Sequence, residues 1–220
     1  MSASVSDEAR VILAREDVQV WCAELDLDDA AIGDLDGLLT ADERARARRY
    51  HFEHDRRRFV VARARLRAIL TLYLGGAPGD VMFAVDARGK PRLTGAAAGG
   101  LEFSVSHSGG RALFALARQR RVGVDLERIE EGIDWEPVAT RFFSSGEIAG
   151  LRALPSERRA GEFFRLWTRK EAWLKARGDG LGACESLLRD GAPDVDGDAW
   201  STLTIDAGPG YAAALALARR

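Results

Sequence analysis

The sequence predicts an α+β protein of two similar lobes with a cleft between them. Two observations carry this expectation. Each half runs through a short strand, a long amphipathic helix and hairpin elements of similar size. No Pro-rich linker or low-complexity segment separates the halves, so they are expected to pack as one unit, divided into lobes 1–100 and 101–220. No residue-level repeat ties the halves together.

The elements follow in order. Residues 18–25 (VQVWCAEL) alternate Val18, Val20 and Cys22 against Trp21, Ala23 and Leu25, which reads as a strand. Residues 26–39 are acidic and dotted with glycine, a loop or a short turn of helix. Thr40 followed by Glu43 is a capping box that starts a helix, and a basic run from Arg44 to Arg58 comes next. Residues 55–74 place Phe59, Ala62, Leu66, Ile69, Leu70 and Tyr73 on one helical stripe. Gly75 and Gly76 end that helix. Residues 81–85 are a strand, and the Gly and Pro of DARGKP turn the chain back. A hairpin follows, with strands around Phe103–Val105 and over 112–117 joined through Gly109-Gly110. Residues 120–127 (RRVGVDLE) make a third strand. Residues 135–152 are helical in pieces, broken around Ser144–Gly146, and 157–177 form a strong helix closed by Gly178. Residues 200–206 and 211–218 close the chain as a hairpin.

Composition narrows the function classes. The chain has 220 residues, 46% hydrophobic and 30% charged, the balance of a globular protein that needs no staple to fold. A net charge of −2 excludes a uniformly basic nucleic-acid coat and an acidic tail protein, though not a local patch. The apolar run at 11–14 is too short for a signal-peptide core, and no stretch approaches the roughly 20 apolar residues of a membrane span. Cys22 and Cys184 make no disulfide framework, so a reducing cytoplasm is expected. Only three of the 32 basic residues are lysine: Lys90, Lys170 and Lys175. In a chain built from arginine, lysine suits a place that wants a compact ammonium.

The third strand carries chemistry. With Val122, Val124 and Leu126 on one face, Asp125 and Glu127 share the other, about 7 Å apart. Such a pair fits a solvated edge strand or a divalent cation with oxygen ligands. On the helix over 157–177, Phe163, Leu166, Trp167 and Leu174 form an apolar stripe with Lys170 in its middle. Glu171 flanks that stripe, and Lys175 lies one turn further along on the side of Glu171. A lysine inside an apolar face must snorkel or meet an anion, so Lys170 is either a structural partner or a substrate contact. The preference here is substrate contact. Three carboxylates and two ammoniums together suit a metal-bound, phosphorylated substrate. The glycines beside Ser106, His107 and Ser108 let backbone approach an anion, while a polar hairpin tip is the bland alternative. The basic run Arg44–Arg58 fits a solvated helix face, an RNA patch or a phosphate cradle.

These residues resemble a family. G-V-D-L-E at 123–127, F-F-S-S-G-E at 142–147 and L-W-T-R-K-E-A-W-L-K-A-R-G at 166–178 are similar, in order and spacing, to the 4′-phosphopantetheinyl transferases. R-G-K-P at 88–91 and S-V-S-H-S-G at 104–109 resemble the larger, surfactin-synthetase-activating type. The resemblance implies a pseudo-dimeric α+β fold with coenzyme A bound in the cleft. It implies transfer of the phosphopantetheine arm to a serine of an apo acyl or peptidyl carrier protein, with release of 3′,5′-ADP. It further implies Mg²⁺ held by Asp125, Glu127 and Glu171, and a pyrophosphate met by Lys175, His107 and Ser106 with Lys170 close by. Gly89, Lys90 and Pro91 would line the nucleotide, and Arg46 would take the 3′-phosphate. Glu171 is the expected base and Lys175 the second catalytic residue; Glu147 matches a family acid of open role. The implied protein is a cytoplasmic monomer that uses neither nucleic acid nor membrane. Glu43 departs from the family pattern, which often has lysine there, and leaves open which arginine joins Arg46.

Overall fold

Alternating apolar residues build the sheets of the computed structural model, which describes residues 9–15, 17–85, 90–95, 99–178, 185–189 and 199–219. Strands β1 (Ala9–Arg15), β2 (Val18–Glu24), β5 (Leu101–Ser108) and β6 (Arg111–Arg118) form one antiparallel sheet in the order β1-β2-β6-β5. Strands β3 (Phe83–Val85) and β4 (Pro91–Leu93) pair as a small ribbon. Strands β7 (Val122–Arg128), β8 (Trp200–Thr204) and β9 (Tyr211–Ala218) form a third sheet in the order β7-β9-β8.

Two helices of 22 residues, α3 (Glu53–Leu74) and α6 (Ser156–Arg177), cover the two larger sheets. Val60, Val61 and Leu70 of α3 pack with Ala23, Leu25, Phe103 and Phe114 on the outer face of the first sheet. Phe163, Ala172 and Trp173 of α6 pack with Ala212, Ala214 and Ala216 on the outer face of the second. Between the sheets, Val18, Val20 and Cys22 meet Val122, Val124 and Leu126. The layers therefore run helix, sheet, sheet, helix, and strands β6, β7 and β9 are buried on both faces. The shorter helices are α1 (Asp29–Asp36), α2 (Ala41–Ala47), α4 (Glu136–Phe142), α5 (Ser145–Ala153) and α7 (Glu185–Arg189). Thr40 caps α2 and Ser144 caps α5, each through a capping box, with Glu43 and Glu147 as the reciprocal acids.

The two-lobed α+β expectation is met, and the structure adds three details. β1 leaves no clear strand pattern in the sequence, because its exposed residues break the alternation and a register shift interrupts its pairing between Val11 and Leu13. Residues 26–39 hold a helix, α1, capped by Asp28, whose side chain accepts from the Ala31 amide at 2.8 Å. The first sheet runs past residue 100 to Arg118, because β6 pairs with β2 along its length; the change of sheet falls at residues 119–121. Long-range pairing of this kind leaves no local mark in the sequence.

Candidate active site

Gly123 fixes how α6 lies on β7. A Cβ at this position would stand 2.0 Å from the Ala172 carbonyl oxygen and 2.3 Å from the Ala176 amide nitrogen. Glycine thus lets the helix backbone touch the strand. Asp125 and Glu127 share the strand face of Gly123, and Glu171 and Lys175 flank the point of contact on the helix. The close approach brings the four charged side chains to one place.

Serines hold the carboxylates. β5 and β7 are the facing edge strands of the two larger sheets, and alternate serines of β5 join them. Ser104 Oγ accepts from the Val124 amide at 3.1 Å. Ser106 Oγ donates to Asp125 Oδ1 at 2.9 Å, and Ser108 Oγ donates to Glu127 Oε2 at 2.7 Å. Lys175 Nζ donates to Asp125 Oδ1 at 2.7 Å and to Ser106 Oγ at 2.9 Å. Asp125 is 3% exposed, yet its Oδ2 has no hydrogen-bond partner among the described residues. Burial, with Asp125 and Glu127 nearby, pushes Glu171 up to about 7 against the pull of Lys175. Burial also raises Glu127. Three acids thus face one ammonium. Among the described residues no group of three or more His, Cys, Asp or Glu side chains converges as a ready-made metal cage. The donor chemistry nevertheless fits a hard divalent cation, because all three groups offer oxygen and a buried oxygen of Asp125 is unpartnered.

His107 points the other way. Its neighbours Ser106 and Ser108 face β7, so by strand alternation His107 faces α3. It lines a cavity of about 210 Å³ with Arg46, Tyr50, Phe59, Arg63 and Pro91. Desolvation, with the cations Lys175 and Arg58, holds its pKa below the ordinary histidine value. Lys90 Nζ donates to the carbonyls of Lys175 at 2.7 Å and Val122 at 3.2 Å. It therefore ties the β4 side of the first lobe to the last turn of α6, where carbonyls carry partial negative charge. Gly89 lies outside the described residues.

The basic run sorts into structural and available arginines. Arg44 donates to the carbonyls of Asp36 and Leu39; Arg56 pairs with Glu53, Arg57 with Asp29 and Arg58 with Asp26. Arg46 stacks on Phe59, 5.3 Å from the ring centre, and its guanidinium makes no hydrogen bond or ion pair among the described residues. Glu43 is spent on Thr40 and on Arg67, which accounts for an acid at that position.

Lys170 corrects an expectation. The sequence favours a substrate contact over a structural partner, but the residue is 1% exposed, and its ammonium lies 3.0 Å from Glu147 and donates to the Leu188 carbonyl at 2.9 Å. It also sits over the Phe143 ring. Glu147 in turn accepts from the Ser144 amide at 2.7 Å, so the pair clamps α5 and α7 onto α6. Sequence reasoning missed this because the partner carboxylate comes from another helix. It also missed Arg63 and the serine zipper; the alternate serines of S-V-S-H-S were the available signal.

Two family models cover most of the chain. Residues 34–119 match the N-terminal part of 4′-phosphopantetheinyl transferases, and residues 121–215 match the 4′-phosphopantetheinyl transferase superfamily. The 4′-phosphopantetheinyl transferase HetI of Nostoc sp. is 41% identical over 94% of this chain and 90% of its own length. The chain belongs to the 4′-phosphopantetheinyl transferases. A putative transferase of the family from Synechocystis sp. is 35% identical over 78% of this chain and 70% of its own length. The transferase Sfp of Bacillus subtilis is 28% identical over 65% and 62%. A phosphopantetheinyl transferase moves the phosphopantetheine arm of coenzyme A to a carrier protein, and the cluster on β7 and α6 suits such a transfer. No helix among the described residues is long and apolar enough to cross a membrane.

Proposed function

We propose that the transfer takes place at Asp125, Glu127, Glu171 and Lys175, and that the cavity around His107 and Arg46 holds the nucleotide end of coenzyme A. The observation that carries this reading is the charge imbalance at β7 and α6: three acids, one ammonium and an unpartnered buried oxygen on Asp125. A divalent cation, Mg²⁺ by its fit to oxygen donors, would be held by Asp125, Glu127 and Glu171. When bound it would supply charge neutralisation at the pyrophosphate.

The chain's own residues do the rest. The hydroxyl of the carrier serine attacks the phosphorus that bears the pantetheine arm. A new oxygen–phosphorus bond forms, the bond to the adenosine 3′,5′-bisphosphate oxygen breaks, and the serine proton leaves. Glu171 takes that proton, directly or through a water; a carboxylate poised near pH 7 is matched to the task. Lys175 stands at Asp125 to offset charge on the leaving pyrophosphate oxygen. Pro91 and His107 line the nucleotide cavity, and Lys90 holds the neighbouring chain to α6. Both lobes contribute from one chain, which supports a monomer, and the buried free thiol of Cys22 suits a reducing cytoplasm.

Intact-mass measurement of an apo acyl or peptidyl carrier protein, incubated with this chain, coenzyme A and Mg²⁺, tests the reading. The expected result is a gain of one phosphopantetheine, lost in EDTA and restored by Mg²⁺. Full transfer in EDTA would remove the cation from the site.

A further inference from the structure

Lys90 joins the two elements that carry the charged cluster. Its Nζ donates to the Lys175 carbonyl of α6 at 2.7 Å and to the Val122 carbonyl of β7 at 3.2 Å. Val122 precedes Gly123, and Lys175 precedes Ala176, whose amide nitrogen would stand 2.3 Å from a Cβ at Gly123. The ammonium therefore grips strand and helix where their backbones touch. Asp125 and Glu127 follow along the strand, and Glu171 lies one turn back along the helix from Lys175. The Lys175 carbonyl is among the last four of α6, which find no amide inside the helix. A cation there supplies the missing donor and opposes the partial negative charge of the helix end. That cation comes from the first lobe: Lys90 stands just before β4, and its neighbour Pro91 lines the cavity of His107. The residue type fits the geometry. Each of the three lysines in this arginine-built chain brings two acceptors to one nitrogen: Lys170 takes Glu147 and the Leu188 carbonyl, Lys175 takes Asp125 and Ser106, and Lys90 takes the two carbonyls. An ammonium offers three donors from a single atom, whereas a guanidinium spreads its donors over a plane.

We propose that Lys90 is a positioning residue of the transfer: by clipping β7 to the last turn of α6, it sets the spacing of Asp125 and Glu127 from Glu171 and Lys175. The proposal rests on the reading above that places the transfer at this cluster. It differs from the role that the family resemblance implies for Lys90, a contact lining the nucleotide, because the ammonium turns to the main chain of the second lobe. The clip matters because the four charged groups are divided between two elements. Gly123 lets strand and helix meet closely but offers no side chain to lock their register. A donor that holds one carbonyl on each side of the contact stops the helix from sliding along the strand. A displacement of about 1 Å at a reacting group can cost on the order of 10²-fold in rate, so a small slide is felt in the chemical step.

Steady-state transfer to one carrier protein, beside calorimetric titration of coenzyme A in the absence of carrier, tests the assignment on the full chain. Lys90→Met keeps the stem and deletes the donor. Its kcat should fall by about tenfold or more, while its affinity for coenzyme A changes by less than about threefold. The reverse split, with affinity lost and kcat kept, would make Lys90 a contact to the nucleotide and overturn the proposal. A lowered melting temperature with wild-type kcat for the folded fraction would overturn it as well, leaving a fastening with no part in the transfer. Lys90→Arg keeps a cation of similar reach but cannot bring both carbonyls to one nitrogen, so it should restore kcat only in part. It carries the test if the methionine variant does not fold: kcat below wild type with coenzyme A affinity kept supports the clip, and a wild-type kcat overturns it. Absence of transfer by the wild type would instead overturn the reading of the reaction itself, and this role with it.

Discussion

Lys170 and Lys175 stand five residues apart on one helix, and each pairs with a carboxylate, at 3.0 and 2.7 Å. Their surroundings differ. Among the described residues Lys170 meets Glu147, the Leu188 carbonyl and the Phe143 ring inside the protein, so its charge is matched. Lys175 is 32% exposed and faces three acids, one of which keeps a buried oxygen without a partner among the described residues. The first arrangement is complete and holds helices together. The second is short of positive charge and is finished only by something that arrives. The lesson is that charge balance, rather than the presence of an ion pair, separates a structural lysine from a functional one.

Four experiments can break or sharpen this contrast. The largest effect is expected at Asp125. Asp125→Ala removes the buried acid at the centre of the cluster, and turnover should fall on the order of 10³-fold, about 4 kcal/mol in activation free energy. Circular dichroism should still report a folded chain. Substantial transfer by this variant would show that the imbalance is not catalytic.

Next comes Lys170→Met, which keeps the stem and deletes the ammonium. It leaves Glu147 and the Leu188 carbonyl without their donor, and urea unfolding should report a loss of about 3 kcal/mol. The KM for coenzyme A should stay near wild type. A normal stability with a raised KM would return Lys170 to the substrate and erase the contrast.

Lys175→Met should behave in the opposite sense. Its cost should appear mainly in kcat, about 10²-fold, because positive charge is lost where the leaving group gains negative charge. Its melting temperature should fall less than that of Lys170→Met. A wild-type kcat would take Lys175 out of the mechanism.

The smallest effect is on stability against pH. The folded-state value of Glu171 is pushed up to about 7, so between its unfolded value near 4.5 and pH 7 the folded protein binds more protons. Its stabilising contribution is full below about 4.5 and is lost as pH rises through 7. Without divalent cation, stability should therefore drop over that window, and Glu171→Gln should recover about 1–2 kcal/mol at pH 7.5. Added Mg²⁺ should raise the melting temperature of wild type more than that of Glu171→Gln. A mutant less stable than wild type at that pH would contradict crowding of the acids.

Much of the fold was legible because its signals are local. The capping box at Thr40, the break near Ser144, the stop at Gly178 and the two long helices follow from spacing over a few residues. The shared face of Asp125 and Glu127 follows from the period of two in a strand. The site was legible to the same depth: Glu171 and Lys175 lie on one side of α6 by helical geometry, and the apolar stripe shows that Lys170 is enclosed.

What encloses Lys170 was decided by tertiary structure. Glu147 reaches it from α5 and the Leu188 carbonyl from α7, contacts that no periodicity encodes. The same holds for the arginines between 44 and 67, alike in sequence: packing gives Arg56, Arg57, Arg58 and Arg67 carboxylate partners and turns Arg46 and Arg63 into the cavity. It holds as well for β6, which joins β2 from about ninety residues away in the chain. Sequence by itself fixes which face of an element is apolar and where the element stops, because those depend on neighbours a few bonds away. Which charge meets which partner depends on how the elements dock, and that is set by the whole core.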